Sequence, residues 1–242
     1  MATATTIPAT RMAALQRRPF YIGASLLMGL IAVVGFWPTY FGPLVTGTIA
    51  QPLLIHIHAT VFTGWLALFL TQAVLAATGR VAWHLTLGRI GIGYGAVLIV
   101  VGLTTGVLRS SALPLGGEAE RLLLVATADM VVFAAFFGAA IVYRKKPQTH
   151  KRLMVVAANM LLVAAVARMK FLPPMPAGLP YFVAIWFLPL LSAMAYDLRI
   201  QRRVHPVYLI GAVAFVIRIL VTTVAGTAAW GAITRAVGGL LA

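Results

Sequence analysis

The chain has 242 residues, of which 62% are hydrophobic and only 10% charged, and its net charge is +15. A soluble domain carries about 25% charged residues, so this composition excludes an ordinary soluble protein and suits membrane helices joined by short loops. The absence of cysteine excludes disulfides, thiolate metal sites, cysteine-ligated iron–sulfur clusters and covalent c-type haem, while the charge is read as loop charge that meets lipid headgroups, with no nucleic-acid partner.

Residues 1–19 form a polar, Thr/Ala-rich arm with Arg11, Arg17 and Arg18. The first span is expected over about Phe20–Phe41, longer than a signal-peptide core of roughly 7–15 apolar residues, so it reads as an uncleaved anchor. Further spans are expected at Pro52 to Thr78, Leu87 to Leu108, Arg121 to Tyr143, Arg152 to Leu172, Leu179 to Tyr196 and Pro206 to Trp230. The expected fold is an all-α integral membrane protein with seven transmembrane helices in residues 20–231 and a short external tail in 232–242. No Gly-rich phosphate loop or dinucleotide fingerprint is present, because the glycines lie inside apolar spans.

Most of the 19 Lys and Arg residues fall on one side of this pattern. They are the three of the arm, Arg80 and Arg89, the Arg144–Lys146 run with Lys151 and Arg152, and Arg199, Arg202 and Arg203. The other side holds Arg109, Arg121, Arg168, Lys170 and Arg235, and Arg218 lies within the seventh span. The positive-inside rule then places the N-terminus in the cytoplasm and the C-terminus outside. Each expected cytoplasmic loop has basic residues followed by one His: His84, His150 and His205. This reads equally well as a repeated helical hairpin or as three ordinary basic loops.

Ionisable side chains at a helix centre in the bilayer cost at least about 2.5–3.5 kcal/mol, so each needs a partner or a role. Asp129 lies about 12 Å into span four from the outer side and Arg218 about 16 Å into span seven from the inner side. In a core about 30 Å thick these depths nearly coincide, and a buried pair is expected. It reads as a structural tie or as a substrate or proton site. Arg168, nearer the outer rim, is expected to snorkel out or to reach Asp129.

His56 and His58 are two residues apart and point about 200° apart on a helix, so they do not share a metal. His56 shares a stripe with Thr60, Thr63 and Ala67, a face suited to close helix packing. His58 shares a face with Phe62, Trp65, Phe69 and Gln72. An aromatic wall bearing His and Gln suits a flat organic ligand such as haem or a quinone, so His56, His58, Trp65 and Gln72 are candidate ligand-binding residues. The plainer reading is a hydrogen bond to a neighbouring helix for one His and a headgroup contact for the other.

At the cytoplasmic face, His84, His150 and His205 with Asp197 form a candidate divalent-metal set, since three imidazoles and a carboxylate suit zinc or a similar metal. The plainer reading is helix capping beside basic residues. Only span two supplies His near the outer side, so a two-haem arrangement across the membrane is not met; one haem at the cytoplasmic edge remains compatible. A retinal protein, a voltage sensor and a His-Glu-x-x-His protease are excluded by the absence of a buried Lys, of repeated Arg in one span and of that motif.

The segments His84-Leu-Thr-Leu-Gly88-Arg89, preceded by Gln72, and His150-Lys-Arg-Leu-Met154 resemble small bacterial inner-membrane proteins with domains of unknown function. The second segment is similar to one in accessory proteins of haem–copper oxidases. The resemblance covers spans two to five, and this chain has His84-Leu85 where such proteins have His-Arg. It implies a bacterial inner-membrane location and a respiratory or metal-linked role, with a respiratory complex or quinone as partner. The leading expectation is a membrane protein that binds haem, a quinone or a metal through its histidines. Two other classes are carried beside it: a proton-coupled or small-solute transporter using Asp129 and Arg218, and a metal-dependent intramembrane hydrolase.

Overall fold

A computed structural model describes residues 18–114, 116–174 and 176–239, which form helices and turns with no strand. Residues 1–17 of the expected arm and 240–242 of the expected tail lie outside the described residues. Seven helices are long and apolar enough to cross a membrane. They are built on α1 (Arg18–Phe36), α2 (Leu53–Ala77), α3 (Val81–Ser111), α4 (Gly117–Val142), α5 (Pro147–Met160), α6 (Leu179–Gln201) and α7 (Pro206–Val221), of which α1, α4, α5 and α7 are prolonged by short helical turns into the spans Pro19–Val45, Gly117–Lys145, Pro147–Val166 and Pro206–Val224. An eighth helix, α8 (Ala228–Gly239), follows.

Local sequence sets the ends. Pro38 has no amide hydrogen to donate, and α1 loosens there into a π-helical turn over Trp37–Phe41 before a last helical turn, Gly42–Val45. Gly79 adopts a left-handed φ of 76°, which lets the chain reverse between α2 and α3 within a few residues. Pro147 starts α5, where its missing N–H costs nothing. The helix breaks again at Leu161–Leu162 and continues as Val163–Val166.

The packing order follows the chain from α1 through α2 and α3 to α4, then closes through α7 and α6 back to α1. Inside this ring stands α5, which touches α4, α6 and α7, while its continuation touches α1. Val155, Val156, Ala157 and Ala158 are consecutive and all fully buried, so α5 is enclosed on every side. The α3–α4 seam is close because α3 presents glycines: a methyl group at Gly95 would overlap the Phe137 ring, and one at Gly102 would overlap Met130. Small residues at such spacing let two backbones approach, which lipid alone would not drive.

Several boundaries differ from expectation: span three begins at Val81, so His84 is inside the helix; span five begins at Pro147, so Arg152 is inside as well; and span six runs on to Gln201, past Asp197. The expected seventh span and tail become α7, a short turn and α8. Glu120 fastens this last helix: its carboxylate accepts from the Gly226 amide at 3.1 Å, and its backbone carbonyl accepts from Trp230 Nε1 at 2.7 Å.

Candidate functional site: a cavity at the basic end of the bundle

At the bundle end that carries the basic loops, α5 stands away from α2 and α3 and leaves a cavity of about 450 Å³. Its walls include Trp65, Phe69 and Gln72 of α2, His84 of α3, Phe137 of α4 and His150 of α5. The volume falls in the range of small-molecule sites, and an apolar wall with a few polar groups is their usual make-up.

The polar groups are held from behind. Gln72 Nε2 donates to the His84 backbone carbonyl at 3.2 Å, which ties α2 to the start of α3. His150 Nδ1 lies 2.8 Å from the Ala140 carbonyl oxygen. A carbonyl only accepts, so Nδ1 carries a proton, and in the neutral imidazole the lone pair is then on Nε2. Trp65 is fixed edge-on against Phe133 and Phe137, with ring centroids 5.3 and 5.2 Å away. The Lys151 ammonium lies over the Tyr21 ring at 4.8 Å, and both residues line the cavity.

Among the wall residues, Trp65 Nε1, Gln72 Oε1 and His84 Nδ1 are buried polar atoms without a hydrogen-bond partner. Native proteins leave few such atoms, because each unmade bond costs about 1–3 kcal/mol. Trp65 offers a donor, Gln72 an acceptor, and His84 either, according to tautomer. A ligand with both carbonyl and hydroxyl character would match this set.

The expected aromatic face is divided by depth. Trp65 and Gln72 line the cavity, but His58, about 10 Å from Trp65 along α2, stacks on Phe62 at 4.1 Å instead. His56 Nδ1 is 3.0 Å from the Tyr40 hydroxyl, which the π-helical turn presents. Neither His56 nor His58 reaches the cavity.

The expected metal set does not assemble. His84 and His150 line the cavity, whereas Asp197 and His205 belong to a separate cluster around Arg152. Among the described residues no group of three or more His, Asp or Glu is placed to hold a metal ion. The physical reason is a competing cation. Arg152 Nε and Nη2 grip the two Asp197 oxygens at 2.7 and 2.5 Å, with both side chains fully buried. The carboxylate also accepts from Gln201 Nε2 at 3.0 Å and from the His205 amide at 3.3 Å. His205 Nδ1 is itself used, accepting from the Val207 amide at 3.3 Å as the N-cap of α7. Burial, and then the Arg152 guanidinium, hold the His205 imidazole below its ordinary value of 6.5.

Arg152 was missed because the sequence places it in a run of loop charges. Its signal was Pro147: a helix starting there carries Arg152 more than a turn inside. Asn159 was also missed. Its side chain donates to the Trp186 carbonyl at 3.1 Å, and Trp186 Nε1 donates to the Asn159 carbonyl at 3.2 Å, which locks α5 to α6 just before α5 breaks.

Asp129 and Arg218 meet across α4 and α7, with Arg218 Nε donating to Asp129 Oδ1 at 2.5 Å. Arg168 does not join them; its guanidinium lies over the Phe36 ring at 5.1 Å and donates to the Ala164 carbonyl at 2.8 Å.

Fold and site define an all-helical protein with seven membrane-length helices around a histidine-bearing cavity. No family model, curated protein or solved structure matches the chain.

Proposed function

We propose that this is a membrane protein that binds a quinone in the cavity at its basic end, as part of respiratory redox chemistry. The observation behind the reading is the conjunction of an aromatic cavity with buried, unpartnered donor and acceptor atoms on Trp65, Gln72 and His84. A quinone supplies what they lack: a flat ring for Trp65, Phe69 and Phe137, and ring oxygens that accept as carbonyls or donate as hydroxyls. His150 contributes a lone pair at Nε2 that accepts from the hydroxyl form. The site lies at the end expected, from the positive-inside rule, to face the cytoplasm.

Quinones quench indole fluorescence, and Trp65 is part of the wall. Titration of the purified protein in lipid nanodiscs with a decyl-tailed benzoquinone is expected to quench tryptophan emission to saturation. Trp65→Phe is expected to remove most of the saturable change, and His150→Ala to weaken binding by about tenfold. Quenching without saturation, or saturable quenching indifferent to both variants, sinks the proposal. The absorption spectrum of the same sample separates haem from quinone, since a Soret band would assign the cavity to haem.

A second reading, a proton-coupled or small-solute carrier, is favoured by the Asp129–Arg218 contact alone. It predicts that Asp129→Asn abolishes pH-dependent flux in proteoliposomes.

A further inference from the structure

Resting on the quinone reading, we infer that the ligand enters the cavity sideways from the bilayer, between α3 and α4, and therefore belongs to the long-tailed quinones that reside in the membrane.

The seam between these helices has two regimes. From Gly95 onward it is closed, because Phe137 fills the space over Gly95 and Met130 that over Gly102. Toward the basic end, Gly88, Gly91 and Ile92 of α3 and Ile141 of α4 no longer close on one another; they line the cavity. A methyl group at Gly88 would meet only Gln72 of α2, at 3.5 Å, and one at Gly91 only Leu68 of α2, at 3.4 Å, with no atom of α4 within 4 Å of either. Ile92 is 38% exposed although it belongs to the cavity wall, so the wall at this level is also outer surface.

Polarity runs along the same axis. The groups that would hold a ring, His84, Gln72 and His150, lie near the basic end. Ile92 is about 12 Å further along α3 from His84, and the α4 residues that line the cavity with it, Phe137 and Ile141, are apolar. A water-borne ligand gains nothing from an apolar doorway at that depth. A prenylated ring gains twice: its tail stays in hydrocarbon through the opening, and its head reaches the polar end. Tail carbons are favoured in hydrocarbon over water, and by this route the tail need not leave the lipid.

The test measures association rates in nanodiscs by stopped-flow tryptophan fluorescence. Two probes are used: the decyl-tailed benzoquinone and the same ring without a tail. Ile92→Trp, which narrows the doorway, is expected to slow the tailed quinone by about tenfold and leave the tailless one within about twofold. Ile92→Ala is expected to speed the tailed quinone, which keeps the inference testable if the bulky variant does not fold. Unchanged tailed association in either folded variant overturns it. Equal slowing of both probes also overturns it, since the substitution then disturbs the ring's own site and not the passage of the tail. Failure of the wild-type protein to bind either probe removes the quinone reading itself, an outcome distinct from binding by another route.

Discussion

Among the described residues two buried ion pairs join helices of this bundle, and they differ in how completely they are satisfied. Arg152–Asp197, at the basic end, is fully buried and saturated: the carboxylate takes two guanidinium bonds, a Gln201 amide and a backbone amide, and Arg152 Nη1 also reaches the Gln148 carbonyl and side chain at 2.6 and 3.0 Å. Arg218–Asp129, within the apolar spans, has one hydrogen bond and keeps side-chain exposures of 7% and 9%. Buried charge is tolerated when every donor and acceptor is matched, so the saturated pair has the character of a structural tie. The singly bonded pair keeps guanidinium donors in reserve, and it alone has the make-up of a site that could exchange partners.

The sharpest way to break this comparison is to remove one member of each pair. Asp197→Ala is expected to destabilise by about 3–5 kcal/mol, because it strands Arg152 in a fully buried position; thermal unfolding in detergent measures it. Asp129→Asn keeps a hydrogen-bond acceptor beside Arg218 and is expected to cost less, about 1–3 kcal/mol. If Asp129→Asn proves the more damaging, the assignment of structural and exchangeable roles is reversed. Asn159→Ala leaves the Trp186 carbonyl without its donor and is expected to cost about 1–2 kcal/mol by the same assay, with little effect on quinone quenching.

A pH titration sharpens the comparison at smaller scale. The folded state holds His205 below its ordinary 6.5, so folding favours the neutral imidazole. This contribution is present above pH 6.5 and is lost as the pH falls from there through the folded value. Wild-type stability is therefore expected to decline over that interval, and His205→Asn, which keeps an N-capping side chain, is expected to flatten the decline. An identical slope in the variant would show that another group governs it.

The seven spans were legible because a bilayer demands about 20 apolar residues, a requirement that composition alone reveals. Asp129 and Arg218 were legible for a related reason: helix rise converts sequence position into depth. The cluster around Arg152 was not, because which loop-flanking charge turns inward depends on where a helix starts, and here the helix starts at Pro147, five residues before Arg152. Asp197 looked like a free carboxylate ligand only while Arg152 was counted with the loop. His58 and Gln72 do share a helical face, yet a shared face says nothing about what fills the space between them, and the cavity reaches only Trp65 and beyond. The cavity itself comes from the offset of α5 from α2 and α3, a tertiary distance without a local signal.

The enclosed position of α5 has a consequence for how the protein is made. It is the least apolar of the seven membrane-length helices and the most buried. Arg152 and Asn159 face protein in the finished bundle, but α6 and α7, which cover them, are synthesised later. At the moment it leaves the ribosome, α5 has only half its neighbours and two polar side chains with no home. Its entry into the lipid is therefore expected to wait for α6, whose Asp197 and Trp186 carbonyl neutralise those groups, so that the two helices insert as a pair.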